Sequence, residues 1–155
     1  MKNRHPLFVA LLAAFAVSLT LVVSAVAAET PFKGTVDAVE TGTVAFPLRS
    51  ITREGTGTAT YLGRYTEHIT MVIDIPTLSA TGAATFTAAN GDTLTAAIAG
   101  QATRTSPTTL SIVENYTITG GTGRFADATG AFTLHSTVDQ PTGISSGAFS
   151  GAVDH

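Results

Sequence analysis

Apolar and polar residues alternate along much of the chain after residue 28, and a period of two is typical of β-strands with one buried face. Residues 69–75, for example, carry Ile or Met at every second position and end at a proline. The clearest runs of this kind cover residues 69–75, 93–98, 110–119 and 132–138. Weaker runs cover residues 33–39, 43–51, 56–62, 83–89 and 144–153. The pattern predicts about eight or nine antiparallel strands.

The segments between these runs are short and rich in turn-forming residues. Asn90-Gly91-Asp92 separates two of the runs, and Asn and Gly tolerate the positive φ angles of a tight hairpin. An open sheet of this many strands would leave edges prone to aggregation, so we expect it to close. We predict an all-β fold, a single closed antiparallel barrel of about eight strands, whose interior holds side chains or one small ligand.

The first 28 residues have a different character and predict a signal helix that precedes the barrel. Lys2 and Arg4 precede a long apolar run, and the small residues of 24–28 stand before the polar Glu29. Small residues at this point are what a signal peptidase requires, although the run is also long enough for an uncleaved anchor helix. We predict a signal peptide at residues 1–28 and a barrel domain at 29–155. The protein is therefore expected to be secreted or periplasmic, and to meet a membrane only through its leader before cleavage.

Composition excludes several classes of function. The 155-residue chain has no Cys, which excludes disulfides, thiolate metal sites and Cys nucleophiles. Without Lys2 and Arg4, six basic residues stand against 11 acidic ones, so nucleic acid is not an expected partner. His68 and His135 fall on polar strand faces without metal-ligand spacing, and we predict neither a metal nor a cofactor. The oligomeric state stays open, a homo-oligomer included.

The most distinctive stretch is Gly-Gly-Thr-Gly-Arg-Phe at residues 120–125. Gly120, Gly121 and Gly123 permit backbone turns that are closed to other residues. Arg124 is polar and Phe125 provides an apolar plug. No helix is predicted after it and the lysine of a phosphate-binding loop is absent, so we interpret this stretch as a structural turn across one end of the barrel.

This stretch resembles the Gly-Gly-Thr-Gly-Lys/Arg-Phe turn of dirigent proteins and of the allene oxide cyclase-like barrel superfamily. It also resembles a group of small secreted bacterial proteins with that barrel, and residues 57–66, 86–92 and 147–151 are similar to further blocks of the bacterial group. The resemblance implies an eight-stranded antiparallel barrel. Plant members make cyclic oxylipins or guide phenoxy-radical coupling, but their catalytic residues match no position here, and the bacterial group has no established activity.

Two carboxylates fall on predicted inward faces. Glu114 shares its face with Leu110 and Ile118, and Glu67 shares one with Ile69. A buried carboxylate costs several kcal/mol unless it is paired or protonated, so Glu114 and Glu67 are candidate lumen residues. Tyr61, Tyr65 and Tyr116 are candidate neighbours with polar tips. Two purely structural alternatives remain for Glu114: a bulge that turns it outward, or an ion pair with Arg64 or Arg104.

Small inward residues suggest where a cavity would lie. Ala84, Ala88 and Ala96 would leave space in the lumen unless phenylalanines fill it, the candidates being Phe86, Phe132 and Phe149.

The sequence supports three hypotheses for function. The first is a non-enzymatic barrel that binds a small apolar molecule in its lumen. The second is an isomerase- or cyclase-like enzyme that uses Glu114 with a tyrosine, and the third is a structural or protein-interaction barrel. A lumen above roughly 300 Å³ favours binding, Glu114 facing a Tyr or Arg at a cavity favours the enzyme, and a filled lumen with an exposed apolar patch favours the third.

Overall fold

Eight β-strands follow one another around a closed antiparallel barrel in the computed structural model, which describes residues 30–155. Each strand pairs with the next, and β1 closes the barrel by pairing with β8. The strands are β1 (Thr30–Ala45), β2 (Leu48–Ala59), β3 (Gly63–Asp74), β4 (Ser79–Ala88), β5 (Thr93–Arg104), β6 (Thr109–Gly121), β7 (Thr129–Asp139) and β8 (Ile144–Asp154). The predicted signal peptide lies outside the described residues. Among residues 30–155, no helix is long and apolar enough to cross a membrane.

The predicted all-β closed barrel is confirmed for residues 30–155, although one predicted strand is wrong. Residues 43–51 form a hairpin, with β1 ending at Ala45 and β2 beginning at Leu48. Pro47 stands in the turn between them, where a missing N–H and a fixed φ are tolerated. The run at 33–39 and the start of 43–51 therefore belong to one long β1, and the end of 43–51 belongs to β2 with most of the run at 56–62. The barrel has eight strands rather than nine for this reason.

One half of the lumen is filled with aromatic side chains. The Tyr116 and Phe132 rings stack with centroids 4.4 Å apart, and Phe86 contacts both rings. Buried aromatic pairs of this kind stabilise a core beyond their area alone. The buried rings of this cluster are Phe32, Tyr65, Phe86, Tyr116, Phe132 and Phe149. They pack in one buried core with Ala84, Ala88 and Ala96, so the phenylalanines occupy the space beside these small residues.

The glycine-rich turn lies at the end of this aromatic half. β6 ends at Gly121, and a single 3₁₀ turn, Gly123–Phe125, carries the chain towards β7. Gly120 and Gly123 have φ angles of 127° and 58°, which L side chains rarely adopt. The turn points Phe125 inward, where its side chain is completely buried.

Removal of this plug tests the structural role of the turn. Phe125→Ala is expected to lower the free energy of unfolding by about 3–5 kcal/mol, because it opens a cavity in the closed half. Arg124→Ala at the adjacent position is the matched control. The Arg124 side chain is 44% exposed, so its removal should lower the free energy of unfolding by less than about 1 kcal/mol. Equilibrium denaturation measures both, and equal small effects would contradict the plug.

Candidate functional site

Arg53 of β2 lies inside the barrel and is only 2% exposed. A guanidinium stays charged at any ordinary pH, so it cannot escape burial by losing its proton. Removing it from water costs several kcal/mol unless carboxylates and hydrogen bonds replace the lost hydration. The side chains around Arg53 supply these groups.

Glu114 and Tyr116 of β6 bind the end of the guanidinium group. Arg53 Nη1 and Nη2 donate to Oε1 and Oε2 of Glu114 at 3.0 and 2.9 Å, the bidentate geometry that favours arginine over lysine. Arg53 Nη2 also donates to the Tyr116 hydroxyl at 2.6 Å, and that hydroxyl donates to Glu114 Oε2 at 2.7 Å. Both Glu114 oxygens are therefore occupied.

Two further carboxyl groups approach the same arginine from other strands. Arg53 Nε donates to Glu67 Oε1 of β3 at 3.1 Å. Glu40 of β1 is more remote, with Oε1 3.9 Å from Nη1. All three glutamates are buried, with exposed fractions of 1% for Glu114, 3% for Glu67 and 8% for Glu40. We call Arg53, Glu40, Glu67, Glu114 and Tyr116 the lumen charge cluster.

Glycines provide the space for two of these carboxylates. A Cβ at Gly55 would lie 3.0 Å from Cγ of Glu67, and a Cβ at Gly100 would lie 3.1 Å from Cγ of Glu114. Each glycine is the direct neighbour of its glutamate in the β-ladder. The absence of a side chain there lets the glutamate extend across the lumen.

The lumen charge cluster contains three carboxyl groups and one guanidinium, and the protonation of these groups depends on their burial and on one another. Burial raises the pKa of Glu40 and Glu67, and the nearby Arg53 guanidinium opposes that rise without cancelling it. Burial also raises the pKa of Tyr116, which keeps its hydroxyl neutral and able to donate. For Arg53, burial alone would lower the pKa, but Tyr116 and the glutamates together raise it, so the guanidinium stays charged.

A cup with a volume of about 470 Å³ occupies the other half of the lumen. Its walls are mainly apolar, and Glu40 and Glu114 of the lumen charge cluster also line it. Arg49, Arg104, Gln101 and Gln140 also line the cup. The apolar side chains of the wall include Ile51, Met71, Ile73, Ile75, Leu78, Leu110, Ile112 and Val138.

The structure brings together three of the five predicted site residues. Glu114, Glu67 and Tyr116 lie in the lumen charge cluster. Tyr65 is buried in the aromatic half, where its hydroxyl donates to the Thr35 carbonyl at 3.0 Å. The expectation that Tyr61 lies in the lumen is wrong: it is 37% exposed in the β2–β3 turn with φ 66°, where strand alternation has ended.

Neither structural alternative for Glu114, an outward bulge or a pair with Arg64 or Arg104, describes what the structure shows. The residue does not bulge outward, because it keeps register with Gly100 and Leu134 on the two neighbouring strands. It does form an ion pair, but with Arg53 rather than with Arg64 or Arg104.

Sequence reasoning missed Arg53 and Glu40. The predicted strands ended at residues 39 and 51, so both residues fell in gaps between strands. An available signal was that Glu40 continues the inward series of Val36 and Ala38, and that Arg53 follows Ile51 by two positions. The residues after Arg53 obscured the pattern, because Gly55 and Gly57 carry no side chain to mark the inward face.

Comparisons with protein-family models, curated proteins and solved structures found no match to this chain. The resemblance to the allene oxide cyclase-like barrels therefore stays a prediction.

Replacing Arg53 tests how much the buried carboxylates destabilise the protein when their cation is absent. Arg53→Met is expected to destabilise the protein by about 3–5 kcal/mol at neutral pH, because three buried carboxyl groups lose their cation. The loss should shrink as pH falls towards 4.5, where protonation removes the repulsion. Glu54→Gln on the exposed face of β2 is the control. A loss of stability that is the same at every pH would contradict this explanation.

The raised pKa of Glu67 predicts a pH dependence of stability. Above that pKa the folded protein holds an ionised, buried carboxylate; as pH falls, it takes up a proton before the unfolded chain does. The free energy of unfolding should therefore rise from that raised pKa down to about pH 4.5, the ordinary glutamate value. Glu67→Gln should flatten the profile in this window when denaturation is followed at several pH values. An unchanged profile would show that Glu67 does not titrate there.

Proposed function

We propose that this protein binds one small, largely apolar molecule in the cup. The single observation that carries the proposal is an open cavity of about 470 Å³ with apolar walls and a few polar groups. Sites for small molecules have this character, with volumes of about 300–1,000 Å³. The apolar wall supplies affinity, and the polar groups orient the ligand.

The rigidity of the barrel supports a binding role. The cup walls are parts of hydrogen-bonded strands, and the lumen charge cluster connects β2 to β6 across the lumen. A site built on such elements needs little ordering when a ligand enters, so less binding free energy is lost.

A second candidate is an isomerase- or cyclase-like enzyme, and one observation favours it: Glu114 faces both Arg53 and Tyr116 beside a cavity. We favour binding over catalysis because both Glu114 oxygens already accept hydrogen bonds. Tyr116 stacks in the aromatic half and does not line the cup.

The third candidate, a protein-interaction barrel, has weaker support. Val44, Phe46 and Leu48 are 66%, 77% and 44% exposed where β1 meets β2. The open cup favours ligand binding over a solid barrel. The leader predicted at residues 1–28 supports a binding role outside the cytoplasm.

A bulky residue in the cup wall should block the site. Ala102 lines the cup from β5, and Ala102→Phe is expected to reduce the volume of the cup that is available to a ligand. Native mass spectrometry of protein purified from its own host should find a small molecule on the wild type and little or none on this variant.

Ala99→Phe is the matched control, because Ala99 lies on the same strand with its side chain exposed outside the barrel. It should retain the ligand like the wild type. Equal retention by both variants would place the bound molecule outside the cup and contradict the proposed function.

A further inference from the structure

The Glu40 carboxyl group is the member of the lumen charge cluster that lacks a hydrogen bond. Glu114 accepts from Arg53 and Tyr116, and Glu67 accepts from Arg53. Within residues 30–155, no group donates a hydrogen bond to the Glu40 side chain, whose closest cation is Arg53 at 3.9 Å. Yet Glu40 is 92% buried, since only 8% of it is exposed, and it lines the cup.

The charge balance of the cluster points in the same direction. Three carboxylates share one guanidinium, so the cluster has a net charge of −2 when all three are ionised, and Arg49, which also lines the cup, offsets part of that charge at Glu40 from a greater distance. Fields are strong among buried groups because water does not screen them. A hydrogen-bond donor with a positive charge placed beside Glu40 would relieve both the missing hydrogen bond and the excess charge.

We propose that the ligand of the cup is an apolar amine, bound with its protonated nitrogen beside Glu40 and its hydrocarbon body against the apolar wall. This inference rests on the proposed function and names the chemical class of the ligand.

The opposite orientation, an apolar anion with its carboxylate at Arg49 and Arg104, is less favourable. Arg104 already donates to the Gln140 side chain and to the Pro107 carbonyl, and it is exposed to water that screens its charge. Such a ligand would also press its hydrocarbon end against Glu40. Burying that carboxylate under hydrocarbon costs several kcal/mol without adding a partner.

Three probes of equal chain length separate these possibilities: n-octylamine, 1-octanol and octanoate, titrated into the purified protein at neutral pH by calorimetry. The wild type should bind octylammonium roughly tenfold to a hundredfold more tightly than octanol, the range expected for a hydrogen bond to a charged group. Glu40→Gln keeps the shape of the side chain and should abolish this preference, because octylammonium loses its charged partner and then binds about as tightly as octanol. Arg104→Gln is the matched control at the other end of the cup and should preserve the preference.

The wild-type ranking tests the inference without any variant. Tightest binding of octanoate, weakened by Arg104→Gln, would overturn the inference while the proposed function stands. Equal binding of all three probes would also overturn the inference and leave the proposed function standing, because only the apolar wall would then contribute to affinity. If none of the probes binds and no molecule is retained by native protein, the proposed function itself fails.

Discussion

A guanidinium group held away from water must recover its hydration from the protein, and Arg53 does so through side chains of β1, β3 and β6. β2 and β6 lie on opposite walls of an eight-stranded barrel, so the bidentate contact between Arg53 and Glu114 spans the lumen. Glycines beside Glu67 and Glu114 leave the room that these side chains need. One buried cation therefore constrains the register and residue size on several strands.

The same cluster separates two halves with different physical character. On one side, aromatic rings and the Phe125 plug fill the lumen. On the other side, the side chains are aliphatic and leave an open cup. The cluster borders that cup, so an otherwise apolar cavity contains carboxylate oxygens. This combination distinguishes the cup from a purely hydrophobic cavity and is the basis of the proposal that it selects a ligand by charge.

The excess of carboxylates has a cost for stability that packing elsewhere must offset. Replacing buried ionic groups by apolar residues is often neutral or stabilising, so stability alone does not explain why three glutamates surround one arginine. Buried titratable groups of this kind tend to occur at functional sites. The position of Glu40, buried but without a hydrogen bond, agrees with that interpretation.

Alternation along the chain predicted the all-β barrel and the inward faces of Glu67 and Glu114, and the glycine-rich turn predicted the end closed by Phe125. These features depend on neighbouring residues, so they can be recognised locally. The partnership of Arg53 with Glu114 joins residues 61 positions apart, and it exists only because closure places β2 opposite β6. Which half of the lumen stays open was likewise decided by how all eight strands stagger and which rings meet. The tertiary structure therefore decided the partners of these glutamates and the open cup, because both depend on contacts between strands that are distant in the sequence.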